Sequence, residues 1–151
     1  KETPPYLVLA GGKGWLDSGI YKKAEELGRG DLVKFTEYVP DEMLCPLMCG
    51  ALAFVFPSIY EGFGMPPLEA MACGVPVLTT HAASLPEVVG EDAVVTDPYS
   101  PEDIAAGLER LYTDEALRQR LKAAGPKRAA QFTWERSAEQ LYAVYQEACR
   151  E

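Results

Sequence analysis

Two apolar runs of strand length, joined by a glycine- and proline-rich stretch, set the strongest constraint on how this chain folds. Residues 53–56 read Ala-Phe-Val-Phe, and residues 75–79 read Val-Pro-Val-Leu-Thr. Continuous apolar runs of this kind are typical of parallel strands that are covered on both faces. Parallel neighbours need a crossover connection, and residues 57–74 provide enough chain for a loop and a short helix. The pattern therefore predicts a strand, a loop, a helix and a second strand, in that order.

The chain on either side of this stretch alternates in the same way. Apolar runs indicate three further strands, and Gly28 and Gly50 stand where two helix patterns end. The further strands are predicted at residues 6–10, 32–35 and 93–96, and the two helices at residues 18–27 and 41–49. Strands that alternate with helices predict an α/β fold with a doubly wound parallel sheet.

The C-terminal third is rich in helix signals. Ser100, followed by proline, and Thr133 are both predicted to be N-caps of helices. Between them, a helix that starts near residue 114 is expected to break or kink at Gly125-Pro126. The last helix carries apolar residues that we expect to pack back onto the domain, namely Leu141, Tyr142, Val144 and Tyr145.

Length and charge narrow the class of protein. The 151 residues fit a single domain, and a net charge of −9 without a basic cluster argues against a nucleic-acid or anionic-membrane partner. No apolar run approaches the ~20 residues that span a bilayer. The chain starts at Lys1 without a methionine, so we expect it to be a piece of a longer protein.

The cysteines do not predict a metal site. A zinc site needs about four nitrogen or sulfur ligands, and the only histidine is His81. Cys45 and Cys49 are four residues apart and are expected on one face of a helix. We interpret them, with Cys73, as small buried hydrophobic residues in a reducing compartment, which makes the cytoplasm the expected location.

Three stretches are expected at the carboxyl ends of strands, where open parallel sheets bind ligands in a crevice. They are residues 11–15, 38–40 and 57–69. In the last of them, Gly62 and Gly64 allow the backbone to approach a ligand closely. A proline pair then suits a helix start, so the next free amides, of Leu68 and Glu69, are predicted to bind an anion, most naturally a phosphate.

Two carboxylates bracket this loop, because Glu61 and Glu69 are separated by seven residues. A carboxylate can accept hydrogen bonds from both hydroxyls of a ribose, which suits Glu69. Glu61 lies on the other side of the predicted phosphate, where a transferred group would be. The spacing alone is also compatible with two surface acids that flank a turn, and residues 11–14, with three glycines, could form only a turn.

The order of these features resembles a known enzyme family. Residues 58–77 read Ser-Ile-Tyr-Glu-Gly-Phe-Gly-Met-Pro-Pro-Leu-Glu-Ala-Met-Ala-Cys-Gly-Val-Pro-Val, which looks like the E-x7-E signature of retaining glycosyltransferases of family 4. Further similarity lies in residues 7–12, 35–41, 85–90 and 132–134. The resemblance implies the Rossmann-like, donor-binding, C-terminal half of a GT-B fold, here with extra C-terminal helices. It implies that the partner is a nucleotide-sugar donor.

The resemblance also implies roles for individual residues. Glu61 would be the catalytic acid beside the donor sugar, with an electrostatic or positioning role, and Glu69 would bind the ribose diol. Val39 would contact the nucleobase through its backbone, and Glu87 would be structural. The remaining donor-binding residues, which would act through their backbones at the sugar or the phosphates, are Gly12, Gly62, Phe63, Gly64, Met65 and Leu68.

One departure from the family pattern matters. The family places an Arg and a Lys at the first strand-to-helix region of this domain, and Lys13 does not match that motif. We therefore expect residues 1–151 to be one partial donor domain, which lacks its first strand-helix unit and the N-terminal acceptor domain. That missing domain would be its partner, and any peripheral membrane association would run through the missing part.

The expected activity is transfer of a hexose from a GDP-mannose or UDP-glucose type of donor to a sugar or glycoconjugate, without a cofactor or metal ion, and by the whole parent enzyme only. Another GT-B enzyme, such as a sugar-nucleotide epimerase, is the alternative, as is a non-catalytic α/β interaction domain. A glycoside hydrolase that uses both acids is disfavoured, because the start of a helix suits a carboxylate better than a proton donor.

Overall fold

The computed structural model describes residues 4–12 and 18–150, in which strands and helices alternate as far as Thr113 and two more helices follow. Every strand pair among them is parallel, so the predicted α/β class with parallel sheets is confirmed. The chain divides into two compact units, Lys1–Leu44 and Cys45–Glu151. None of the helices in the described ranges is long and apolar enough to cross a membrane.

The first unit contains a two-stranded parallel sheet. Its elements are β1 (Leu7–Ala10), α1 (Ser18–Glu26), β2 (Val33–Glu37) and the start of α2 (Asp41–Cys49). Leu7 lies opposite Val33 in the sheet. The helix α1 ends as predicted just before Gly28, whose φ of +61° lies in the left-handed region that glycine tolerates.

The second unit contains a three-stranded parallel sheet in the order β3–β4–β5. Its strands are β3 (Phe54–Val55), β4 (Val77–Thr80) and β5 (Val94–Thr96), and its helices are α3 (Met65–Ala72), α4 (Leu85–Val89), α5 (Pro101–Thr113), α6 (Glu115–Ala129) and α7 (Trp134–Ala148). The short helix α4 lies between the predicted strands at residues 75–79 and 93–96, in a segment for which the sequence analysis predicted no element. The predicted strand, loop, helix and strand between residues 53 and 79 are present as β3, loop, α3 and β4.

The central strand β4 is buried on both faces, as its apolar run predicts. Val77 packs on one side in a cluster with Met71 of α3 and Val89 of α4. Leu78 packs on the other side with Leu111 of α5 and Leu121 of α6. Because successive side chains of a strand point to opposite faces, these two residues anchor two separate layers of helices on one strand.

The C-terminal helices differ from prediction at two places: α6 is not broken at Gly125-Pro126, and the apolar residues of α7 do not pack back onto the domain. The helix α6 continues through Gly125 and Pro126 to Ala129, because Gly125 lies directly against α3: a Cβ at this position would be 3.1 Å from the Met71 carbonyl oxygen. This close packing holds the helix together despite the hydrogen bond that a proline removes.

The apolar residues of α7 do not pack on the domain, and all four are exposed: Leu141, Tyr142, Val144 and Tyr145. The N-caps Ser100 and Thr133 are as predicted.

The packing between α5 and the sheet predicts a large difference between two identical substitutions. A Cβ at the buried Gly107 would meet Leu78 Cδ1 at 2.7 Å and Thr96 Cγ2 at 3.0 Å, so Gly107→Ala should destabilise the protein by about 1–3 kcal/mol. Gly19→Ala in α1 meets no atom within 4 Å and should stabilise it by up to about 1 kcal/mol. Denaturant unfolding of both variants measures the difference. Equal stabilities would mean that Leu78 moves aside without cost.

Candidate functional site

The loop between β3 and α3 is held against the carboxyl end of the neighbouring strand β4 by two buried threonines. Thr79 Oγ1 donates to the Phe56 carbonyl at 3.0 Å, and Thr80 Oγ1 donates to the Ser58 carbonyl at 2.6 Å. Both side chains are fully buried, where a hydroxyl needs a partner, and the carbonyls that leave β3 provide it. The path of the loop is therefore set by the sheet.

The far end of the loop is held by Ser84, which lies just before α4. Its hydroxyl is 2.8 Å from the Phe63 carbonyl oxygen and 3.2 Å from the Glu61 carbonyl oxygen, so it can donate to either. Both carbonyls are turned toward Ser84. This leaves the opposite side of the loop backbone, with its N–H groups, available to other partners.

Those N–H groups form the clearest sign of a ligand site. Within the described residues, the backbone N–H groups of Gly62, Phe63, Gly64 and Met65 donate to no protein acceptor. Gly64 is itself buried, and a buried N–H group without a partner is rare in proteins. A run of unpaired amides at the start of a helix is suited to an anion or to several acceptor oxygens.

Gly64 makes this arrangement possible. Its φ of +105° favours glycine, and a Cβ there would lie 2.7 Å from Leu85 Cδ2. In this conformation Gly64 is the N-cap of α3, so the helix starts at Met65, before the proline pair. The predicted position of the free amides is therefore wrong by a few residues. The N–H of Leu68 makes a long 3.4 Å bond to the Gly64 carbonyl, and Glu69 lies in the second turn of the helix.

The two acids occupy different environments. Glu61 is half-buried, and its Oε1 lies 3.1 Å from the Ser58 hydroxyl, which is also 3.0 Å from the Tyr60 carbonyl oxygen. Glu69 is exposed on α3. The seven-residue spacing thus places one carboxylate before the row of N–H groups and the other after it, within the same unit.

In the first unit, the backbone around Val39 borders a pocket of about 240 Å³. Its lining residues are Ala10, Gly11, Tyr38, Val39, Asp41 and Leu44. The Tyr38 side chain is 72% exposed, and Gly12, next to Gly11, is also exposed. Lys13 and Gly14, the remainder of the glycine-rich stretch, lie outside the described residues. That residues 11–15, 38–40 and 57–69 share one crevice stays a prediction.

Sequence reasoning missed the residues that hold the loop, namely Thr79, Thr80 and Ser84. The sequence does carry a signal for two of them, because paired threonines at the end of an otherwise apolar strand need hydroxyl partners once the strand is buried. Ser84 offers no such signal, since its partners Glu61 and Phe63 lie more than twenty residues away along the chain.

Comparison with known proteins supports the resemblance. The family model for glycosyl transferases group 1 matches residues 1–128. O-antigen chain mannosyltransferase B from Escherichia coli is 42% identical over 139 residues, which cover 92% of this chain and 36% of that protein.

Among solved structures, sucrose-phosphate synthase from Thermosynechococcus elongatus superposes with a TM-score of 0.81 at 30% identity, covering 95% of this chain and 38% of that one. The HepE protein of Anabaena, solved with UDP-glucose, has the same fold: its TM-score is 0.82 at 23% identity, with 96% of this chain and 42% of that one covered. The chain thus spans between a third and a half of the length of these three proteins. With 128 of its 151 residues matched by the family model, the chain belongs to the glycosyl transferases group 1 family.

Proposed function

We propose that this chain is the donor-binding part of a retaining glycosyltransferase that moves a hexose from a nucleotide-diphosphate sugar to a sugar or glycoconjugate acceptor. The observation that carries the proposal is the row of unpaired N–H groups from Gly62 to Met65, bracketed by the carboxylates of Glu61 and Glu69. A sugar diphosphate offers a matching set of groups: anionic oxygens for the amides and hydroxyl donors for the acids. The UDP-glucose bound to the related fold of HepE is a ligand of this class.

The role that we propose for each group follows from its position in the loop or in α3. The N–H groups bind the sugar hydroxyls and the diphosphate. As the bond between the anomeric carbon and the diphosphate breaks, they stabilise the negative charge that grows on the diphosphate. Glu69, on the exposed side of α3, accepts hydrogen bonds from the ribose diol. Glu61 faces the sugar, where a fixed negative charge stabilises the positive charge that develops at the anomeric carbon. The N–H of Leu68, whose hydrogen bond to the Gly64 carbonyl is long at 3.4 Å, also binds the diphosphate.

The pocket beside Val39 is proposed separately as a nucleobase pocket. Base recognition would use the Val39 backbone, while the exposed Tyr38 ring offers a face for stacking. Gly12, beside this pocket, lets the backbone come close to the ligand.

The reaction is proposed to need more than this chain provides. The residues that bind the acceptor, and a cationic group that neutralises the leaving diphosphate, would come from other parts of the parent protein. No metal ion would be required. Residues 1–151 would then be a partial donor domain without activity of its own, located in the cytoplasm. Turnover by the isolated chain would contradict this part of the proposal.

Mannose is the sugar we favour, because the relative with 42% identity is a mannosyltransferase. The test is turnover of GDP-mannose and UDP-glucose by the full-length parent in the presence of EDTA, with the anomeric configuration of the product determined by NMR. Retention of configuration without added metal is expected. An inverted product would overturn the retaining mechanism, and an epimerised free donor would favour the epimerase alternative.

Ser84 is expected to act as a positioning residue for the donor. In the full-length parent, Ser84→Ala removes the hydroxyl that holds the Glu61 and Phe63 carbonyls, and donor affinity should fall about 5–30-fold. Ser84→Thr keeps the hydroxyl and should restore much of the affinity. Calorimetric titration with the nucleoside diphosphate measures the effect.

Ser100→Ala is the matched control for this experiment. Ser100 also uses its hydroxyl on the backbone, by accepting from the Asp103 N–H at the start of α5. Its loss should lower stability by about 1 kcal/mol and leave donor affinity unchanged. If both serine variants weaken binding equally, the effect of Ser84→Ala reflects general stability rather than loop position.

A further inference from the structure

Three cysteine thiols that are distant in sequence come together on the second unit. Cys45 and Cys49 lie on α2, and Cys73 caps the C-terminus of α3. The Sγ atoms of Cys45 and Cys49 are 3.8 Å apart, those of Cys45 and Cys73 are 3.6 Å apart, and all three sulfur atoms lie within 4.8 Å of one another. The interpretation of Cys45 and Cys49 as buried hydrophobic residues is wrong, because both are exposed, and Cys73 is half-buried.

The spacing of these sulfur atoms matches a metal coordination shell. Thiolates 2.3 Å from a tetrahedral zinc ion are about 3.8 Å from one another. The distances from the Cys45 sulfur to those of Cys49 and Cys73 are close to this value without any adjustment of the side chains. A disulfide, by contrast, needs its sulfur atoms about 2.05 Å apart, so each pair would have to move together by well over an ångström.

The backbone around the thiols is held in place by the core. Met48, between the two cysteines of α2, is buried in the same hydrophobic cluster against which Cys73 packs. The Cys49 thiol also lies 3.9 Å from the Cys73 carbonyl oxygen. The three sulfur atoms therefore lie on two helix ends that share one hydrophobic cluster rather than on a loop, which lowers the entropy lost when they bind one ion.

The electrostatic surroundings favour a cation. The helix α2 ends at Cys49 and α3 is capped by Cys73, so the negative ends of two helix dipoles meet at the thiols. Burial, followed by the hydrogen bond and charge of the Cys45 thiol and then by Cys49, raises the pKa of the Cys73 thiol to about 12. A bound cation would compensate the charge of the thiolates that ligate it, and its binding would release their protons.

We propose that Cys45, Cys49 and Cys73 bind one thiophilic d¹⁰ metal ion, of which Zn²⁺ is the representative, with a water molecule or an external thiolate as the fourth ligand. The exposure of Cys45 and Cys49 leaves one side of the ion open to that ligand. The proposal departs from the sequence-based expectation of no metal site, which counted ligands but could not place Cys73 beside α2.

The ion would have a structural role that is distinct from the proposed transfer reaction. Cys73 follows the C-terminal end of α3, about 12 Å along the helix from the loop at its N-terminus. The ion would link the ends of α2 and α3 and so stiffen the helix that carries Glu69. The inference does not depend on the proposed function.

Zinc binding to the reduced, chelator-treated protein tests the proposal directly. Competition with a chromophoric chelator should give about one equivalent of Zn²⁺, and Co²⁺ should give the intense thiolate charge-transfer bands of a tetrahedral site. At a hundredfold excess over Kd, Zn²⁺ should raise Tm by about 5–10 °C. Binding should strengthen as pH rises, since the ion displaces protons from the thiols.

Serine variants identify the ligands. Cys45→Ser, at an exposed position that can be changed without harm to the core, should weaken Zn²⁺ binding roughly 100-fold, and so should Cys49→Ser and Cys73→Ser. Cys149→Ser is the matched control, because this exposed cysteine caps α7 and is not in the cluster; its variant should bind Zn²⁺ as the wild type does.

Three results would overturn the proposal. The first is the absence of stoichiometric Zn²⁺ binding at micromolar concentration. The second is equal loss of binding in Cys149→Ser and Cys45→Ser. The third is rapid air oxidation to a Cys45–Cys73 disulfide that added Zn²⁺ does not slow, which would identify the cluster as a redox pair.

Discussion

Glu61→Gln in the full-length parent is expected to lower kcat about 10²–10³-fold while the KM for the donor changes little. Glutamine has the shape of glutamate and can still accept a hydrogen bond from the Ser58 hydroxyl, which is 3.1 Å from Glu61 Oε1. The substitution therefore removes the charge and keeps the position. If Glu61 stabilises positive charge at the anomeric carbon, its effect arises only in the transition state and appears in kcat.

Two comparison variants make this result specific. Glu69→Gln should instead raise the donor KM about 10–100-fold, because the ribose diol loses a charged acceptor in the ground state as well. Glu109→Gln, on the exposed surface of α5, should leave both constants unchanged. Steady-state kinetics with varied donor separates the three outcomes. Wild-type kcat in Glu61→Gln would support a non-catalytic role for this domain, and a KM effect equal to that of Glu69→Gln would make Glu61 a binding residue only.

The parts of the fold that were predictable from sequence depend on local patterns. The apolar run that became β4 has to be covered on both sides, and Val77 and Leu78 are indeed buried in opposite layers. The caps Ser100 and Thr133 act within their own first helical turn, so their sequence signal was sufficient.

The parts that failed depend on tertiary packing. Nothing local shows that α6 continues through Pro126, because the stabilising contact is between Gly125 and Met71 of α3. The helix α3 starts at Met65 because Gly64 adopts a positive φ, and the distant Leu85 leaves no room for a Cβ at this position.

In the candidate site, too, some features could be predicted from local sequence patterns and others depend on tertiary packing. The spacing of Glu61 and Glu69 and the glycines between them indicated the loop. The structure adds that the N–H groups of residues 62–65 donate to no acceptor in the part of the chain that it describes. By contrast, the contact of the Ser84 hydroxyl with the loop arises only when the chain folds. The same holds for the contact between Cys73 and Cys45 of α2. The partners of Ser84 and Cys73 lie more than twenty positions away along the chain, so no local pattern in the sequence indicates these contacts.

Gly64→Ala is expected to damage stability and donor binding together. Alanine strains the backbone at φ +105°, and its Cβ would overlap Leu85 Cδ2, so we expect a loss of about 2–4 kcal/mol in the free energy of unfolding. Any relief of the strain turns the adjacent N–H groups away from their present direction. Affinity for the nucleoside diphosphate should therefore fall at least about 10-fold in the protein that remains folded.

Gly62→Ala separates the two effects, because a Cβ at Gly62 meets no protein atom within 4 Å and its φ is not in the left-handed region. Stability should then change by less than about 0.5 kcal/mol. If the donor lies against this loop, the new methyl group occupies ligand space and affinity should still fall. Adding Leu85→Ala to Gly64→Ala removes the overlap but not the backbone strain, so it should not restore binding. Unchanged affinity in Gly62→Ala would mean that the donor does not lie against the loop. Recovery of binding in the double variant would mean that steric overlap, rather than the direction of the N–H groups, causes the loss of affinity in Gly64→Ala.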